Sequence, residues 1–276
     1  VEFAIFAATS EASAEFAPIA AKAGAIAIDN SAHFRLTPGV PLIVPEINAK
    51  SINGHSGIIA NPNCSTIQLL MVLYPLERKF GVRRAVVSTY QSVSGSGKMA
   101  LDELAHQSLA MLTLRELKVE VYPHRIGFNL IPCIGEFDAD GYSVEETKLK
   151  RETAKILDRS DDIISPTCIR VPVFNCHSQS LSIELKSRAS CGEVREVLSE
   201  FPGVAVSDAF LDSRLGVPST GADYPMPSDC SEQDDVVVGR IRLDKTVEYG
   251  INLWSVTDNL RKGAALNAIQ IAELLI

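Results

Sequence analysis

The sequence predicts an α/β fold in two parts, a parallel layer at the start and a mixed sheet with its own helices after it. Three observations carry this. Strand and helix patterns alternate through residues 1–61, and from Arg84 the texture shifts to longer alternating strands. The chain of 276 residues, 46% hydrophobic and 22% charged, also supplies enough apolar surface for one large or two modest cores.

VEFAIFA (1–7) reads as a buried strand. Ser10 or Ser13 caps the helix that follows, which runs to about Gly24 with Phe16, Ile19 and Ala20 on one face. AIAID (25–29) and GIIAN (57–61) are the next strands, and the strand–helix–strand order implies parallel pairing. Pro62 stops the third strand, and CSTIQLLMVLYPLERKFG (64–81) forms a long helix starting near Cys64. RRAVVSTYQSV (83–93) is a strand, SGSGK (94–98) a glycine-serine turn and MALDELAHQSLAML (99–112) a helix. VEETKLKRETAKILD (144–158) is charged and helical, and TCIRVPVF (167–174) and SQSLSIELK (178–186) alternate like strands. CGEVREVLSEFPG (191–203) is a helix, and DDVVVGRIRLD (234–244) and YGINLWSVTD (249–258) are the last strands. DNLRKGAALNAIQIAELLI (258–276) closes as an amphipathic helix with Leu266, Ile269, Ile271 and Leu274 among its apolar residues, and the acidic stretch 228–235 reads as a solvated loop.

Bulk properties narrow the function. A formal net charge of −8 leaves no basic excess to neutralise phosphates, so nucleic acid is not an expected partner. No apolar run reaches the length of a spanning helix, so no membrane is expected either. The six cysteines are scattered without a C-x-x-C pair, which argues against a metal site and for a reducing, cytoplasmic location. The residues open at Val1 with neither a starting methionine nor a signal-peptide pattern.

Cys64 in NPNCST sits where a strand gives way to a helix. The positive end of that helix favours a thiolate, lowering the thiol pKa, and its free amides could hold an oxyanion. A buried structural cysteine is the competing reading. His177, in NCHSQ, is either structural or an acid–base group for a nearby cysteine. Arg170 offers a two-point grip on a carboxylate. SGSGK lacks Walker spacing but could bring backbone amides close to a ligand.

Together NPNCSTIQ (61–68), TYQSVSGSGK (89–98), RVPVFNCHSQ (170–179) and DNLRKGAALNAIQIAELL (258–275) resemble bacterial-type aspartate-β-semialdehyde dehydrogenases. FAPIAAKAGAIAIDNSAHFR (16–35) and VPLIVPEIN (40–48) match the same family, so the resemblance is collinear over the whole chain. It implies NADPH-dependent reduction of β-aspartyl phosphate to the semialdehyde, in the biosynthesis of lysine, methionine and threonine. On that resemblance Cys64 forms a thioester, Gln91 positions it and His177 is the acid–base group. Arg170 holds the substrate carboxylate and Glu145 its amine, although a solvated helix at 144–158 would also carry Glu and Lys. Lys148, Arg35 and Asn63 hold phosphate. Ser94, Gly95 and Asn259 meet the nicotinamide end of the cofactor. Thr9 and Ser10 lie in the family's cofactor loop, where Ala8-Thr9 replaces the expected small and glycine residues.

The family's opening strand and glycine-rich turn, which seat a pyrophosphate, have no counterpart ahead of Val1. Residues 1–63, completed by the helix 258–276, are therefore expected to be the remnant of an NADP-binding Rossmann-like domain. Residues 64–250 are expected to be an α+β catalytic and dimerisation domain on a mixed sheet, forming a homodimer. Two alternatives remain: an N-acetyl-γ-glutamyl-phosphate reductase, which shares the acyl-phosphate and cysteine chemistry, and a noncatalytic paralogue or fragment.

Overall fold

The computed structural model describes residues 1–159, 162–207 and 224–276. A parallel sheet of three strands opens the chain: β1 (Phe3–Phe6), β2 (Ile26–Asp29) and β3 (Ile58–Ala60), in that spatial order. The helix α1 (Ser10–Lys22) crosses from β1 to β2. Its cap is Thr9, whose Oγ1 accepts from the Ala12 N–H at 3.3 Å, rather than Ser10 or Ser13.

Two expectations for this region are corrected. β1 is only partly buried, with Ile5 half exposed. Phe16 and Ile19 of α1 point outward, while Ser13 and Ala17, one turn apart, face the sheet. Small residues win the inner face because the helix lies close: a Cβ on Gly57 would come within 2.9 Å of the Ala21 Cβ.

Between β2 and β3 lie the short helix α2 (Pro45–Asn48) and a 3-10 turn (Ala49–Gly54). After β3 comes α3 (Cys64–Phe80), buried around most of its circumference, as expected for a helix apolar on every side. Ile67, Leu69, Leu70, Met71, Val72, Leu73 and Leu76 have no accessible surface, and they share one core with Ala27, Val44 and Ala60 of the first layer.

The second layer is a six-stranded mixed sheet. Its strands are β4 (Val82–Gln91), β5 (Ile164–Arg170), β6 (His177–Leu185), β7 (Val204–Val206), β8 (Val236–Asp244) and β9 (Gly250–Thr257). They are ordered β5-β4-β6-β9-β8-β7, with parallel pairs β4/β5 and β7/β8 and antiparallel pairs between. The expected fold class holds. β7 was not foreseen, and three residues give alternation too little length to register. Around the sheet run α4 (Lys98–Leu112), α5 (Val144–Ile156), α6 (Cys191–Ser199) and α7 (Pro227–Cys230). The acidic stretch 228–235 thus begins in a helical turn that buries Cys230.

The C-terminal segment also departs from expectation. It opens with a π-helical turn (Arg261–Ala265) and only then becomes α8 (Leu266–Glu273). Ile269 and Leu274 are exposed, and Ala268 and Ile271 form the inner face, packed on Ile28, Ile43, Ile52 and Ile59. Among the described residues no helix is long and apolar enough to cross a membrane.

Gly57 is the tightest test of this packing, because its φ of +94° and its contact with Ala21 both exclude a side chain. Gly57→Ala is expected to destabilise the protein by more than about 1 kcal/mol, read as a lower urea midpoint at unchanged slope.

Candidate active site

β3 ends three residues before Asn63, whose extended backbone (φ −62°, ψ 144°) makes it the cap of α3. Its Oδ1 accepts from the Ser65 and Thr66 N–H groups at 2.9 and 3.3 Å. Cys64 is therefore the first helical residue and is partly exposed. The Asn63 N–H donates to Glu152 Oε2 at 2.7 Å, and its Nδ2 donates to Glu145 Oε1 at 2.9 Å. From the end of β4, Gln91 Nε2 donates to Ser65 Oγ at 2.8 Å and to Glu145 Oε1 at 3.2 Å.

The helix end does not lower the thiol pKa as the sequence suggested. Burial pushes the Cys64 thiol up to about 11, and the Glu145 carboxylate adds to the rise. Arg35, Arg170 and the Ser65 N–H pull the other way and are outweighed. The amides that would favour a thiolate already serve Asn63 Oδ1.

α5 is not a solvated helix. Glu145, Leu149, Glu152 and Ile156 form one buried stripe at helical spacing, so two carboxylates are carried on an apolar face. Burial alone would raise the Glu145 carboxyl. Lys148 at 3.3 Å, the Asn63 and Gln91 amides and Arg170 together hold it below the ordinary range. An ionised Glu145 thus faces the thiol.

Arg170 closes β5, and His177 opens β6 on the other side of β4. The Arg170 Nη1 donates to the Ser92 carbonyl at 2.6 Å, and its buried Nε has no hydrogen-bond partner. The Ser92 N–H donates to His177 Nδ1 at 3.1 Å, which leaves the proton of the neutral ring on Nε2. That Nε2 is also buried without a partner. Burial, and then the Arg170 charge, depress the His177 pKa to about 3, so the ring is neutral at physiological pH.

Ser92 Oγ lies 3.0 Å from His177 Nδ1 and 3.1 Å from Asn259 Oδ1, and Asn259 Nδ2 donates to Ser94 Oγ at 3.0 Å. Gly95 follows directly. A Cβ there would lie 3.3 Å from Arg170 Nη1 and from His177 Nε2, so its bare backbone leaves a cradle over both groups. A flat ring can approach there, and the residues present fit a nicotinamide.

Arg35 is anchored through three nitrogens: Nε to Asn61 O at 2.9 Å, Nη1 to Glu152 at 3.1 Å and Nη2 to Asn30 O at 2.9 Å. One N–H on each Nη remains for an anion. Lys148 pairs with Glu145 and its side chain is partly exposed. Thr9 and Ser10 belong to the amino end of α1, where Thr9 is a cap. All other residues singled out in the sequence meet around Cys64, Gly95 or α5.

Three contributors were missed. Ser92 and Ser65 were hidden as ordinary small polar residues. Glu152 carried a readable signal, an acid in line with Leu149 and Ile156 on an apolar stripe. Among the described residues no group of three His, Cys, Asp or Glu could hold a metal ion.

Comparisons with known proteins found two matching family models and many similar relatives. The family described as "Semialdehyde dehydrogenase, dimerisation domain" matches residues 73–262, and "Semialdehyde dehydrogenase, NAD binding domain" matches residues 1–55. The aspartate-semialdehyde dehydrogenase of Aquifex aeolicus is 46% identical over all of this chain and 79% of its own length. That of Bacillus subtilis is 43% identical with the same coverage. The crystal structure of aspartate semialdehyde dehydrogenase II from Vibrio cholerae complexed with ASA matches with a TM-score of 0.93 at 43% identity, covering 100% of this chain and 79% of that one.

Because only the thiolate reacts, alkylation of Cys64 by iodoacetamide should rise roughly tenfold per pH unit through the neutral range. The rise should level off only near pH 11. A plateau at or below pH 8, followed by mass spectrometry of the Cys64 peptide, would show that the helix end prevails after all.

Proposed function

The chain belongs to the aspartate-semialdehyde dehydrogenase family, and we propose that it reduces β-aspartyl phosphate to aspartate β-semialdehyde through a thioester on Cys64, with NADPH as reductant. Membership makes it a nicotinamide-dependent oxidoreductase. One observation carries the finer reading. A partly exposed thiol is flanked by an ionised carboxylate, Glu145, and by Arg170 and His177, whose Nε and Nε2 are buried without partners. Such donors are costly unless a ligand completes them. An amino acid with a reactive side-chain acyl group supplies the complements: an ammonium for Glu145, an α-carboxylate for Arg170 and a carbonyl for Cys64.

In this reading the acyl phosphate lies with its phosphate toward Lys148 and Arg35. The Cys64 sulfur bonds to the acyl carbon, the carbon–oxygen bond to phosphate breaks, and the thiol proton leaves with the phosphate. The nicotinamide, when bound, supplies the hydride that reduces the thioester carbon. Ser94, Gly95 and Asn259 would hold its ring, and Thr9 and Ser10 at the start of α1 would hold another part of the cofactor. As the carbon–sulfur bond breaks, the neutral His177 ring steadies the departing sulfur through a hydrogen bond from Nε2–H, and the sulfur takes its proton from solvent. Gln91 orients the thioester. The choice of NADP over NAD rests on the family resemblance and is read directly from kcat/KM with each cofactor.

Residues 1–63 with 258–276 serve as the cofactor-binding part and 64–250 as the catalytic and dimerisation part. α8 packing on β2 and β3 supports this division. For the homodimer, the outer face of the mixed sheet offers a surface. There Val86, Ser88, Tyr90, Ser180 and Trp254 are incompletely covered, and Tyr90 and Trp254 stack at 5.4 Å between centroids. N-acetyl-γ-glutamyl phosphate is the competing substrate, and parallel assays with both acyl phosphates separate the two. The joint presence of Cys64, Gln91, Arg170 and His177 speaks against a noncatalytic role.

Cys64→Ala should abolish turnover, and an active alanine variant would end this reading. His177→Ala should lower kcat by roughly a hundredfold or more. Arg170→Lys should chiefly raise KM for the acyl phosphate, since lysine cannot make a planar two-point contact. An unchanged KM in that variant would remove the carboxylate assignment but leave the nucleophile.

A further inference from the structure

Lys262 is a fully buried cation for which the reaction outlined above has no use. It is 1% exposed and lies inside the π-helical turn. Its ammonium donates to Glu46 Oε1 and Oε2 at 2.8 and 2.7 Å, to Asn267 Oδ1 at 3.0 Å and to Gln270 Oε1 at 2.7 Å. An unpaired charge there would cost several kcal/mol, and a hydrophobic replacement of such a pair is often as stable. Stability is therefore a poor explanation for the pair, and geometric specification a better one.

What the pair specifies is visible in its neighbours. Gly263, the next residue, presses on the nucleophile so closely that a Cβ would fall 2.9 Å from the Cys64 Cβ and 3.4 Å from its Cα. Asn259, three residues earlier, reaches Ser92 and Ser94 beneath His177. A polar chain also runs from the cation to the strand end before Cys64. Asn267, which accepts from Lys262, donates to Asn61 Oδ1 at 2.6 Å, and Asn61 Nδ2 donates to the Ala264 carbonyl at 3.1 Å. The π-helical turn and the residues just before it thus touch both halves of the site, and single π-turns are frequent at functional sites.

We propose that Lys262 is a positioning residue: its ion pair with Glu46 seats the π-helical turn so that Gly263 fixes Cys64 and Asn259 fixes the Ser92–Ser94 loop. This rests on the reading of Cys64 as nucleophile. The seat couples α2, which carries Glu46, to the reacting sulfur without either charged group touching substrate.

The test removes both charges together, as Lys262→Met with Glu46→Gln, so that no lone buried ion is left. Glu46→Asp, which keeps both charges but shortens the reach of the carboxylate, is the second variant, should the pair fail to fold. In the folded variant, with a melting temperature within a few degrees of the parent, kcat should fall by about tenfold or more. KM values for acyl phosphate and nicotinamide should stay within about twofold. Iodoacetamide should modify Cys64 several-fold faster, because the Gly263 cover is loosened. A folded variant with parental kcat and parental alkylation rate would overturn the proposal, and so would a kcat loss matched by rising KM at unchanged alkylation. The alkylation readout does not depend on turnover. An active Cys64→Ala enzyme would instead overturn the reading of the site itself.

Discussion

The structure turns on the amino end of α3, a helix start enclosed by protein. Helix starts leave N–H groups without partners, and within a core they need protein acceptors. Asn63 meets that need for Ser65 and Thr66, and Glu152 meets it for Asn63 itself. Glu152 in turn accepts from Arg35 Nη1 at 3.1 Å, which brings a guanidinium to the same end of the helix. Because Asn63 has an amide group left over, Glu145 is drawn in as its acceptor. The cap of one helix thereby assembles a carboxylate, a guanidinium and an amide around Cys64.

This arrangement gives Cys64 an environment different from that of an isolated helix start. The cap engages the local N–H groups, and among the charges acting on the thiol the anion Glu145 weighs most. The resting thiol is kept protonated by burial and by that charge. In the proposed function, binding of a cationic amine at Glu145 would neutralise the unfavourable charge, so that one residue would both hold the substrate and favour the thiolate. His177 follows a parallel logic: burial keeps it neutral, and the Ser92 N–H fixes which nitrogen carries the proton.

The two sheets are joined by continuous packing rather than by a cleft alone. α3 shares its core with both, and the C-terminal segment returns from β9 to cover β2 and β3. The site therefore collects side chains from the start of α3, the ends of β4 and β5, the start of β6, α5 and the segment just before the π-helical turn. Rigid elements meeting at one place suit a reaction that requires close alignment of a sulfur, a carbonyl and a hydride donor.

The sequence alone determined much of this. Period-two and helical patterns located most strands and helices, because such patterns report interactions within a few residues. Asn63-Cys64 after Pro62 marked a helix start, and the collinear motifs identified the family. Other features were decided only by the tertiary structure. Which face of α1 is buried depended on how closely Gly57 and Ala21 approach, and the sense of the Cys64 shift depended on its burial and then on Glu145, eighty-one positions further along the chain. The Lys262–Glu46 pair spans 216 positions, and nothing local marks it. Burial and charge proximity arise from contacts between distant segments, so a protonation state or a π-turn register exists only once those segments are packed together.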